Sequence, residues 1–107
     1  MTSSAAICCS FVFEPGDYDD EFHTLDDEID HYARGLEGFQ EVVSWYSRDG
    51  RFTNAMYFFS DMDSVRKLAS FPTHKEAKKK FARWYRSYEV TIMEVKGSYS
   101  GTANVAE

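Results

Sequence analysis

Gln40–Arg48, QEVVSWYSR, and Phe52–Ser60, FTNAMYFFS, stand on either side of Asp49-Gly50-Arg51. Both runs are rich in β-branched and aromatic residues, and Asp-Gly tolerates the positive φ of a tight turn, so the stretch predicts an antiparallel hairpin. Its apolar residues occupy both faces. Val42 and Tyr46 oppose Val43 and Trp45, and Met56 and Phe58 oppose Tyr57 and Phe59. Such a hairpin belongs in a sheet covered on both sides.

Upstream, Ala6–Phe13 (AICCSFVF) reads as a first strand closed by Pro15-Gly16. Phe22, Leu25, Ile29, Tyr32, Ala33 and Leu36 then recur at three- and four-residue steps, with acids on the opposite face and near the start. This predicts an amphipathic helix ending near Gly35 or Gly38. Downstream, Asp61-Met62-Asp63-Ser64 supplies cap residues for a helix through Val65, Leu68 and Ala69. Pro72 interrupts it, and Thr73 is expected to cap a continuation in which Ala77, Phe81, Trp84, Tyr85 and Tyr88 share a face. Glu89–Val95 (EVTIMEV) is the last predicted strand, and residues 100–107 form a small, polar tail expected to be loose. The order β-α-β-β-α-β is that of the ferredoxin-like α+β unit, a four-stranded antiparallel sheet with helices on one face. Covering the other face calls for a second copy, giving a dimeric α+β barrel.

With 107 residues the chain is read as a single domain, 1–107, with its core over about 6–99. A domain this small buries roughly two thirds of its unfolded surface, which also favours a homodimer. An apolar content of 43% is too high for a disordered chain, and no apolar run approaches the roughly 20 residues of a membrane helix. Met1-Thr2-Ser3-Ser4 lacks the basic start and apolar core of a secretory signal, so a cytoplasmic location is expected, with no membrane partner. Adjacent Cys8 and Cys9 point to opposite faces of a strand and are read as free thiols.

The net charge of −6 hides an asymmetry. Nine acids and no Lys or Arg lie between Glu14 and Asp30, whereas eight bases and one acid lie between Arg66 and Arg86. These segments can attract one another, between neighbouring helices or within a dimer; the plainer reading is two solvated helix faces. No nucleic-acid partner is expected, because the net charge repels phosphate and no reader motif is present. His23, Asp27 and His31 share a helical stripe at metal-binding spacing, but the stripe lies among acids on the solvent face, and no metal is predicted. Glycine-rich phosphate loops, nucleophile elbows and Cys-x-x-Cys pairs are absent from the sequence.

Phe71-Pro72-Thr73-His74-Lys75-Glu76-Ala77-Lys78, Trp84-Tyr85-Arg86-Ser87-Tyr88-Glu89-Val90, Glu94-Val95 and Ser98-Tyr99 carry a resemblance. Their wording resembles the antibiotic biosynthesis monooxygenase family of dimeric α+β barrels, and the element order is similar over about residues 6–99. Family tryptophans correspond here to Phe59 and Leu68. The haem-degrading branch is not matched: the first strand has no asparagine, and Lys78 stands near the place of its histidine.

The resemblance implies a cofactor-independent monooxygenase-like enzyme acting on an aromatic or polyketide-like small molecule, with O₂ as co-substrate and no cofactor. Such chemistry needs a phenol or enol deprotonated by a base inside an aromatic pocket. His74, at a helix start where a neutral imidazole is favoured, is the candidate base, with a structural cap as its plainer role. Asn54 is a candidate donor to a substrate oxyanion. Tyr57, Phe59, Trp84 and Tyr85 are candidate pocket walls, and Arg86 a candidate partner for an acidic or enolate substrate. A non-redox cyclase or isomerase on the same scaffold and a non-catalytic small-molecule-binding dimer remain open alternatives.

Overall fold

A computed structural model describes residues 5–103 of the chain. Residues 1–4, read above for export, and residues 104–107 of the expected tail lie outside the described residues. The elements are β1 (Ile7–Pro15), α1 (Asp20–Arg34), β2 (Phe39–Tyr46), β3 (Thr53–Phe59), α2 (Met62–Ser70), α3 (Pro72–Lys79), α4 (Phe81–Trp84) and β4 (Tyr85–Glu94). The strands form one antiparallel sheet in the order β2-β3-β1-β4, the ferredoxin-like arrangement. At the hairpin, Gly50 takes φ +75° and its N–H donates to the Ser47 carbonyl at 2.9 Å, the turn that Asp-Gly predicts.

One sheet face packs against the helices. Ile7, Phe59 and Val65 form its buried centre, with Cys9, Phe39, Tyr57 and Leu68 against them. The opposite face carries a smaller cluster of Ala5, Cys8 and Phe58, flanked by Val43 and Met56. Cys8 and Cys9, both free, thus lie on opposite faces, and burial pushes the Cys9 thiol up to about 11. Away from the smaller cluster this second face is open, with Trp45 62% exposed and Val12 and Met93 also exposed.

The second helical region differs from its prediction. It comprises three helices, because the chain turns again at Lys80, which ends α3 and begins α4. Tyr85 and Tyr88 share helical spacing with Phe81 and Trp84 but belong to β4, paired with Pro15 and Phe13. Strand pairing with β1 and the β preference of tyrosine outweigh the short periodic match. Thr73 does not cap α3. Phe71 precedes that helix with no side-chain cap, Pro72 opens it, and the Thr73 hydroxyl donates to Glu28 Oε2 at 3.0 Å instead. Tyr32 of α1 stacks on Phe71 with ring centroids 3.9 Å apart, so the α2–α3 corner is fastened to α1 twice.

The acidic and basic segments meet, rather than facing solvent separately. Arg83 pairs with Asp19 and Glu21, both at 2.9 Å, and Lys80 reaches Glu21 and Glu76. Asp19 also caps α1, accepting from the Phe22 N–H at 2.8 Å, and accepts from the indole N–H of Trp84 at 3.0 Å. Trp84 is only 1% exposed, so this bond meets the one polar requirement of a buried ring.

Beside this junction the Gly16 N–H donates to the Trp84 carbonyl at 2.6 Å, and a Cβ on Gly16 would lie 2.9 Å from that oxygen. The obstacle is backbone, which cannot rotate away. Gly16→Ala is therefore expected to cost about 1–3 kcal/mol, the range for overpacking, measured by urea unfolding. An unchanged midpoint would show that the loop moves freely from Trp84.

Candidate functional site

Two concavities meet at Tyr85, the first residue of β4. The outer one is an open groove of about 450 Å³ lined by Gly16, Asp17, Phe81, Ala82, Arg83, Tyr85 and Arg86. That volume falls in the usual range for small-molecule sites, roughly 300–1,000 Å³. The inner one, about 30 Å³, lies between α1 and α3, with Phe22, Leu25, Asp26 and Ile29 from one and Ala77 from the other. Trp84 and Tyr85 complete its wall. Tyr85 packs edge-on to Phe11, Phe13, Tyr18 and Phe22, with centroids 5.1–5.9 Å apart, so its ring is held by aromatic neighbours on two elements and the loop between them.

The titratable groups here are unusual. Asp26 keeps contact with solvent, yet partial burial of its carboxyl, followed by the charges of Asp30 and Asp27, raises its pKa above the ordinary value. Desolvation raises the Tyr85 phenol most, with smaller contributions from Tyr18, Asp26 and Tyr57. The Tyr57 phenol is pushed up to about 12, again by burial first and then by Asp30 and Asp26. These phenols therefore stay protonated near neutrality, available as hydrogen-bond donors.

The candidate residues from sequence are distributed unevenly. Tyr85 and Arg86 line the groove, Trp84 and Tyr85 the inner cavity, and Tyr57 and Phe59 lie on the helix-covered sheet face, their rings stacked at 6.5 Å. Asn54 alternates with Tyr57 and projects from the opposite face, where its side-chain oxygen accepts from the Ser10 hydroxyl at 2.9 Å. His74 sits in the first turn of α3 and lines neither concavity. Its Nδ1 lies 3.0 Å from the Leu68 carbonyl, which can only accept, so Nδ1 carries the proton and ties α3 to the end of α2. The imidazole and the amide, paired on paper as base and oxyanion donor, thus stand on opposite sides of the sheet.

Asp26 escapes notice in the sequence because it belongs to a run of acids on an amphipathic helix. Its signal is spacing: one turn beyond Phe22 and next to Leu25, it lies at the edge of the apolar stripe. Among the described residues no group of three or more His, Cys, Asp or Glu is placed to hold a metal ion, and His23, Asp27 and His31 are exposed. No helix of the described residues is long and apolar enough to cross a membrane.

No protein-family model matches the sequence, and no curated protein matches it. Solved structures do. SnoaB, a cofactor-independent oxygenase from Streptomyces nogalater, superposes with a TM-score of 0.63 at 12% identity, over 96% of this chain and 99% of its own. A monooxygenase from the gene ActVA-Orf6 of Streptomyces coelicolor, solved with the ligand nanaomycin D, gives 0.67 at 14% identity, over 92% and 95%. Rv0793 from Mycobacterium tuberculosis gives 0.65 at 15% identity, over 90% and 100%. The chain therefore has the ferredoxin-like α+β fold of the antibiotic biosynthesis monooxygenases. At these identities the likeness establishes fold and leaves chemistry to the site.

Burial lowers the His74 pKa, outweighing the Leu68 hydrogen bond, so the folded state resists protonating it. The group stabilises the fold above its unfolded pKa of about 6.5, and that stability is lost as pH falls through the lower folded value. Melting temperature is thus expected to fall between about pH 7.5 and 5.5, and to fall less in His74→Gln. Equal slopes in the two proteins would assign the loss to other groups.

Proposed function

We propose that the protein is a cofactor-independent monooxygenase acting on an aromatic, polyketide-like phenol or enol bound in the outer groove. The observation that carries this reading is the Tyr85 wall: on one side an open groove edged by Arg86 and Phe81, on the other an apolar cavity holding Asp26. Fold likeness to two oxygenases supports it. Arg86 forms no ion pair among the described residues, and its guanidinium suits an enolate or phenolate oxygen. Phe81, 39% exposed, offers a face for an aromatic ring.

Oxygenation without a cofactor needs a substrate that supplies every electron. A methylene flanked by phenolic rings does so: it loses two hydrogens and becomes a carbonyl with one atom of O₂, while the other oxygen atom leaves as water. The protein's part is to remove a proton so that the resulting anion can reduce O₂. Asp26, which lines the inner cavity together with Tyr85, accepts it, and its raised pKa brings it nearer the operating pH. His74 acts at a distance, holding α3 and hence Ala77 in place.

The protomer works as a homodimer in this reading, its second sheet face closing on that of another copy. Exposed Trp45, Val12 and Met93 on that face support the assembly. Light scattering at micromolar concentration is expected to give twice the chain mass; a stable monomer contradicts it.

Purified protein with no added cofactor should consume one O₂ per product formed from an anthrone-type phenol. Asp26→Asn should lower turnover by about 10²–10⁴-fold, the usual worth of a positioned base, without changing the melting temperature greatly. In the wild type kcat/KM should rise with pH through a pKa above the ordinary aspartate value. Arg86→Ala should raise KM more than it lowers kcat. Turnover unaffected by Asp26→Asn removes that residue from the mechanism, and isomerised product without O₂ uptake replaces the oxygenase reading with a non-redox one.

A further inference from the structure

β4 carries an apolar stripe that the helices leave half-exposed. Tyr88, Val90 and Ile92 alternate along the strand opposite Phe13, Phe11 and Cys9 of β1, so all three point to the helix-covered side of the sheet. Glu89 and Thr91, the polar residues between them, point to the other face. The helices lie elsewhere: α1 and α2 pack on β2 and β3, and the four-residue α4 is the helix that packs closely on β4. Val90 is 53% and Ile92 52% exposed as a result. The stripe is continuous with the outer groove, because Phe81, which lines the groove, meets the Tyr88 ring edge-on at 5.0 Å. It ends at Glu94, the next residue on that face, whose carboxylate pairs with Lys96.

We propose that this stripe binds a linear apolar chain attached to the aromatic ring in the groove, which makes the substrate an alkyl- or acyl-bearing phenol or enol. The inference rests on the groove reading above and narrows its substrate class. Shape favours a chain. The stripe is one side chain wide, and from Tyr88 to Ile92 it runs about 13 Å, the reach of an alkyl chain of about ten carbons. Area argues against a protein partner. Phe81, Tyr88, Val90 and Ile92 together expose roughly 300–400 Å², at most about half of the 800 Å² or so that each side of a stable complex buries.

4-Alkylphenols with chains of two, four, six and eight carbons, titrated calorimetrically with oxygen excluded, test the stripe apart from any turnover. Each added methylene should tighten binding about twofold, half the free energy of a fully buried one, because the stripe covers one side of the chain. 4-Octylphenol should therefore bind about sixtyfold more tightly than 4-ethylphenol, at one molecule per chain. Val90→Thr/Ile92→Thr, which keeps β-branched residues in the strand, should cut that ratio several-fold. Ile92→Thr alone should give a smaller cut and covers the case in which the double variant does not fold. A wild-type ratio near one overturns the proposal, as does a ratio indifferent to both variants. A light-scattering mass that falls in Val90→Thr/Ile92→Thr makes a second copy the occupant and overturns it too. Chain-length dependence without O₂ uptake from any alkylphenol retires the oxygenase reading and leaves the stripe as a binding site. Failure of every alkylphenol to bind removes the groove reading and the stripe together.

Discussion

A single exposed carboxylate, Asp19, fastens the two ends of the fold to each other. It caps α1 through the Phe22 N–H, accepts the indole N–H of the buried Trp84, and pairs with Arg83. Those bonds, the Phe22 one foremost, hold its pKa below the ordinary value, so it stays ionised where the contacts need it. Trp84 is the last residue of α4 and Tyr85 the first of β4. Fixing the indole therefore fixes the point at which the helical region becomes a strand, and with it the ring that divides groove from cavity. The close approach of Gly16 to the Trp84 backbone completes the same junction from β1.

The apolar core alone would not specify this placement. Hydrophobic contacts are strong but non-directional, and a ring such as Trp84 could fill its space in more than one orientation. The indole hydrogen bond selects one. Around it, Lys80, Arg83, Glu21 and Glu76 form exposed ion pairs that individually contribute little, as screened surface pairs do. Their value here is registry: they bring the acidic start of α1 to the basic end of the helical region. The Tyr32–Phe71 stack and the Thr73–Glu28 bond do the same at the far end of α1. Between these two attachments α1 and α3 leave a gap, because Ala77 is too small to close it.

Much of this fold is legible in the sequence. The hairpin is announced by Asp49-Gly50, α1 by the recurrence of Phe22, Leu25, Ile29 and Ala33, and α2 by Asp61, whose carboxylate accepts from the Ser64 N–H at 2.8 Å. These signals are local, and local chemistry suffices for them. The start of β4 is not local. Tyr85 and Tyr88 fit a helical stripe, and only pairing with β1 assigns them to a strand. The site is harder still to read. Asn54 and His74 both look suited to catalysis, but whether they face one another depends on strand parity and helix placement, and the sheet separates them. Asp26 is one acid in a run until the cavity beside it gives it a context.

The dependence of the Tyr85 wall on the Asp19–Trp84 bond is the central claim, and a double-mutant cycle tests it most directly. Asp19→Ala, Trp84→Phe and the double variant are unfolded in urea and compared with the wild type. If the two groups act through one contact, the double variant loses clearly less stability than the sum of the single losses. Losses that simply add would contradict the account, showing that the carboxylate and the indole support the fold independently.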